Sequence, residues 1–258
     1  MLYLRLPSAL LWRNSDEGNI LHCIVSWNNV ELLSAFLSIT HDLMQKSDNS
    51  GNTPLHIACG DVGRSLYIDV MTRNKYLACL DILLANIDYD TVNKQNYFGA
   101  TALHLACRVD NHVVVKKLLQ LPFIDFTLYD NYGDTPFLDT IYASEHLFDD
   151  FKTTGLTNFH KVWDLTSFRL LLDHNESLIF AKRNDNNRIL HFAWRRLSRI
   201  CNVPINNQNE SLTNDFLAVI DELEIHMAKA RWKIFQYMIK KGLTDSNVHD
   251  LRIKRNEK

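Results

Sequence analysis

Two short stretches of this 258-residue chain place a histidine and a cysteine three residues apart. They are His56 with Cys59 in GNTPLHIAC and His104 with Cys107 in GATALHLAC. An imidazole beside a thiol can serve as base and nucleophile, and two such pairs could hold a zinc ion. A second candidate is acidic: Asp139, Glu145, Asp149 and Asp150 could bind a cation or divide acid and base roles. A third would pair Cys201 with His191 or His226. Repetition argues against chemistry in the first case. The two nonapeptides are identical at six of nine positions, with Ile57 against Leu105 as a conservative seventh, and their histidines lie 48 residues apart. An active site needs its nucleophile once, whereas residues recurring in phase with apolar neighbours read as building material. Cys59 and Cys107 are therefore expected as small buried hydrophobes. The acidic run, Asp139 included, reads as a solvated loop, and nothing flanking Cys201 recommends a pair there. Phosphate-cradling glycine loops, H-E-x-x-H and zinc-type Cys/His quartets are absent from the sequence. No catalytic, metal or cofactor residue is assigned.

The elements that carry the histidines follow from local rules. Thr101 stands where a helix N-cap is needed, and Pro54 and Pro136 fall in the first turn of the sister helices, where a missing N–H costs nothing. Leu103, Ala106, Val114, Leu118 and Leu121 recur at helical steps, interrupted by Asp110-Asn111, which predicts a turn between two short amphipathic helices. Weaker copies sit in the same phase: NILHCIV around His22, GDTPFLDTI from Gly133 with Leu138 in the histidine position, and RILHFAW around His191. Each unit has apolar residues on too many sides to stand alone, so neighbours must stack and share one core.

The tip glycine, the T-x-L-H-x-A motif and the second-helix leucines Leu118 and Leu119 make the chain resemble the ankyrin-repeat family. The resemblance implies an all-α solenoid of about five helix-turn-helix repeats with short β-hairpin-like loops. The repeats are placed at about 14–45, 46–91, 92–124, 125–178 and 179–245, between an N-terminal cap, 1–13, and a charged tail, 246–258. In the cap, Leu2, Leu4, Leu6, Leu10 and Leu11 are expected to cover the first core layer. Late second-helix leucines predict insertions near 61–76, 143–164 and 198–221. The first of these stays apolar at helical spacing and predicts lengthened helices; one long helix is expected to end near Gly242. The resemblance further implies motif histidines bonded to nearby threonine and backbone groups, and no enzymatic activity. The implied role is a scaffold or adaptor that binds another protein through hairpin tips and the concave face. The tip positions are Asn49, Tyr97, Phe98, Asn131 and Tyr132, and outward first-helix positions add Arg108, Val109 and Asp61. Gly18 lies one position too close to His22 for the first tip to match the others.

Composition sets the remaining limits. A formal charge of −2 offers no general attraction to nucleic acid or anionic membrane. No uninterrupted apolar stretch is long enough to span a bilayer, and MLYLRLPSALLW is broken by Arg5 and Pro7, unlike a secretory signal. Five scattered cysteines without a C-x-x-C pair predict reduced thiols in the cytoplasm. A monomer is expected. Divergent, Asn- and Lys-containing repeats also resemble ankyrin effectors that intracellular bacteria deliver, for which the compartment would be a host cytosol. The alternative functions are such an effector, or an activity carried by the insertions.

Overall fold

The computed structural model describes residues 10–60, 70–142, 166–175, 178, 180 and 220–229, within two compact units, 1–187 and 188–258. The first unit is a stack of helix pairs. Module one pairs α1 (Ile20–Ser26) with α2 (Val30–Leu37) and ends in a 3-10 turn, His41–Met44. Module two pairs α3 (Pro54–Gly60) with α4 (Val70–Ala85), followed by the short α5 (Tyr89–Val92). Module three pairs α6 (Ala102–Arg108) with α7 (His112–Leu119), and module four pairs α8 (Pro136–Tyr142) with α9 (Thr166–His174).

Short polar side chains start these helices. Asn19 accepts from the Leu21 amide at 2.8 Å, and the Thr101 hydroxyl accepts from the His104 amide at 3.4 Å. Between paired helices the chain reverses through one left-handed residue, Asn28 (φ 53°) or Asp110 (φ 49°). The next residue, Asn29 or Asn111, then caps the second helix. The expected Asp110-Asn111 break is thus a turn and a cap in succession.

The first helices pack in a row, α1 on α3, α3 on α6 and α6 on α8; behind them α2 packs on α4 and α7 on α9. Leu21, Ile24, Leu55, Leu80, Leu83, Leu103 and Leu118 fill the seam, and Phe137 stacks on Phe168 with centroids 5.0 Å apart. Each such side chain contributes about 1.5–3 kcal/mol by leaving water. The lengthened second module is present: α4 has 16 residues against 8 in α2 and α7. Its Tyr76 hydroxyl donates to the Ala58 carbonyl at 2.9 Å and accepts from Asn111 at 3.3 Å, which ties the long helix to its neighbours.

Among the described residues the tips are hairpin-like turns without a strand, each closed by one backbone bond at 2.9 Å, Asp48 N to Asn52 O, Asn96 N to Ala100 O and Asp130 N to Asp134 O. Two expectations change. Leu11 does not cover the core, being 79% exposed, whereas Leu10 before it is half-buried. Asp139 is not in a solvated loop; it lies on α8 and is buried. Residues 220–229 of the second unit are helical, with Ile220, Leu223 and Met227 buried at helical spacing. Leu2, Leu4, Leu6, Asp61, Glu145, Asp149, Asp150, His191, Cys201, the tail and the rest of the expected fifth repeat lie outside the described residues.

Candidate interaction surface

The three histidines are fasteners. In each, Nδ1 accepts a backbone N–H from its own cap: Asn19 to His22 at 3.1 Å, Thr53 to His56 at 3.2 Å and Thr101 to His104 at 3.1 Å. That fixes the proton on Nε2, which donates forward to the next module. The acceptors are the carbonyls of Asn52 at 2.8 Å, Ala100 at 3.1 Å and Asp134 at 3.1 Å. The threonine hydroxyls add contacts to Nδ1 of His56 and His104, both at 2.8 Å. Burial pushes both of these imidazoles down to about 4, so at neutral pH they are uncharged, as one-donor, one-acceptor bridges require. Cys23, Cys59, Cys79 and Cys107 are free and buried, and burial raises the Cys79 thiol to about 11 and those of Cys59 and Cys107 further. Such thiols are not nucleophiles near neutral pH.

The tips repeat one device. An Asn or Asp uses Oδ1 to accept two backbone N–H groups across the turn. Asp48 takes Ser50 and Asn52, and Asp130 takes Tyr132 and Asp134, all at 2.8 Å; Asn96 takes Phe98 and Ala100 at 3.0 Å. Three residues after each of these comes a residue with positive φ: Gly51, Gly99 and Gly133. In the first module Asn14 plays this part and Glu17 (φ 59°) takes the glycine position. The one-residue phase error at Gly18 therefore vanishes; the first tip matches the others without a glycine.

Successive tips are cross-linked through backbone. Asn49 N donates to Asp16 O at 2.8 Å, Tyr97 N to Ser50 O at 3.0 Å and Asn131 N to Phe98 O at 2.9 Å. This approach excludes side chains at the glycines: a Cβ on Gly99 would sit 2.6 Å from the Asn131 nitrogen. On this braced backbone Tyr97, Phe98 and Tyr132 are 71%, 53% and 57% exposed. Asn49 and Asn131 are exposed beside them, and Asn131 Nδ2 donates to Tyr97 O at 2.8 Å. Tyr129, absent from the sequence-based set, is also exposed.

The structure thus brings Tyr97, Phe98, Asn131 and Tyr132 onto two adjacent tips, with Asn49 on the tip before them. Val109 is half-exposed at the end of α6. Arg108 has a different employment from the outward one expected. Its Nε donates to Asp139 Oδ1 at 3.0 Å and its Nη2 to Asp130 Oδ2, so it joins module three to module four. The signals for these two carboxylates were in the sequence: Asp130 holds the Asx position of the fourth tip, and Asp139 replaces the apolar residue found at Ile57 and Leu105.

Helix pairs stacked in register, with braced tips projecting from one edge, define an α-helical repeat protein. Residues 66–153 match the family model described as ankyrin repeats (3 copies), so that span carries ankyrin repeats. His22 and His56 both lie before the matched span, yet each makes the same forward bond as His104 within it. No curated protein matches the chain. Ankyrin repeats are generally protein–protein interaction modules. No helix among the described residues is long and apolar enough to cross a membrane.

Proposed function

We propose that this chain is a non-enzymatic scaffold that takes a partner protein on its tips and on the concave face beside them. The observation that carries this reading is the exposure of Tyr97, Phe98 and Tyr132 on backbone already cross-linked from tip to tip. Aromatic side chains supply much of the energy of protein interfaces, and a backbone that is already ordered gives up little entropy on binding. Asn49 and Asn131 border the patch, Val109 is half-exposed at the far end of α6, and Arg108 offers the quarter of its side chain left exposed by its ion pairs. The imidazoles and thiols of the motif are engaged in holding modules together, which supports a role without catalysis. Four buried, unpaired cysteines suit a reducing cytosol.

The test compares affinity capture from cell lysate by the wild-type chain and by Tyr97→Ala/Phe98→Ala/Tyr132→Ala. The variant is expected to melt as the wild type does and to lose the proteins that the wild type retains specifically. Undiminished capture by a folded triple variant refutes this face as the binding surface.

A further inference from the structure

Asp139 is 1% exposed, its Oδ1 accepts from Arg108, and its Oδ2 has no hydrogen-bond partner. An orphaned carboxylate oxygen at that depth is destabilising unless a positive centre meets it. The fourth tip brings two more carboxylates. Asp130 and Asp134 are 5% and 4% exposed, and one oxygen from each of the three aspartates lies within 4.8 Å of the others. Asp130 is held rigidly, with Oδ1 on two backbone amides and Oδ2 on Arg108. One guanidinium therefore serves both Asp130 and Asp139, and with both carboxyls ionised that trio carries one negative charge in excess.

The donor set is entirely oxygen, which selects a hard cation. Around a calcium ion bonded at about 2.3–2.6 Å, two ligand oxygens can stand at most about 5 Å apart, and every pair among the three aspartates lies inside that span. Magnesium, at about 2.0–2.1 Å, would need them within about 4.2 Å and in near-octahedral order. We propose that Asp130, Asp134 and Asp139 form a calcium site at the seam between modules three and four, with Arg108 orienting two of its three ligands. Occupied, the site joins the fourth tip to the helix that follows it. This inference stands apart from the partner-binding reading and uses none of its aromatic residues.

The test is a calorimetric titration of the EDTA-treated full chain with calcium chloride, with magnesium chloride in parallel and melting followed in both. The expected result is one saturable calcium per chain with a Kd below about 1 mM. The melting temperature should rise with calcium and not with equal magnesium, and the Tyr132 and Asp134 amide resonances should shift on calcium addition. Asp139→Asn keeps an acceptor for Arg108 and removes the charge; it should weaken calcium binding at least tenfold without lowering melting in EDTA. Absence of saturable uptake by the wild type overturns the proposal, as does equal uptake by the variant. An Asp139 carboxyl found protonated at neutral pH and indifferent to calcium also overturns it. If the variant does not fold, the wild-type titration and amide shifts decide alone.

Discussion

Acid should loosen this stack through its histidines before it protonates most carboxylates. Burial holds His56 and His104 down to about 4 in the folded chain, against about 6.5 for a solvated imidazole in the unfolded one. Between those values the unfolded chain binds more protons than the folded one, so stability is fully present above the unfolded value and falls as pH drops. From pH 7 to pH 5 each histidine should remove ~2 kcal/mol, and the pair ~4 kcal/mol, a large share of the ~5–15 kcal/mol that holds a domain together. His22 shifts in the same direction. Asp139 acts oppositely: burial raises its carboxyl, so its contribution is present at low pH and fades as pH rises. The assay must therefore separate the two. Urea melts followed by circular dichroism at pH 5, 6 and 7 would compare wild type with His56→Gln/His104→Gln, in which Asp139 is common and cancels. The variant should be less stable at pH 7, and the gap should narrow by ~4 kcal/mol at pH 5. A gap that stays constant with pH would show that these imidazoles are not the groups taking up protons on unfolding, and the fastener account would fail.

Three further outcomes follow from particular contacts. Gly99→Ala places a methyl at φ 75° and 2.6 Å from the Asn131 nitrogen, and should cost about 2–4 kcal/mol in denaturant melts, whereas a neutral result would mean that the tips are not braced as described. Arg108→Met leaves Asp130 and Asp139 buried without their cation and should cost about 3–5 kcal/mol, so any loss of partner binding in that variant must be read against its stability. A thiol reagent should leave Cys23, Cys59, Cys79 and Cys107 unmodified in the native chain and reach them in urea; rapid native labelling located to any of these four by peptide mapping would contradict their burial.

Much of the architecture was legible because repetition supplies several readings of one position. Thr101, His104, Asp110 and Asn111 each stand in a local pattern a few residues long, and local patterns survive without knowledge of the fold. The cluster around Arg108 was not legible in that way. Arg108 and Asp139 are 31 residues apart, and Asp139 precedes a run of acidic residues that made it look like part of a solvated loop. Only its alignment with Ile57 and Leu105 hinted at burial, and one departure from a repeat is a weak signal by itself. Glycine is a misleading marker for the first tip. The geometry is set instead by the side-chain amide or carboxylate three residues earlier, which lets Glu17 occupy the left-handed position.

The forward-pointing imidazoles give the stack a direction in time as well as in space. His22, His56 and His104 reach carbonyls 30, 44 and 30 residues downstream. A chain leaving the ribosome cannot complete a module until the following turn has emerged, so every module waits on its successor. Leu138 stands in the histidine position of the fourth module, and its side chain has no polar atom with which to make that bond.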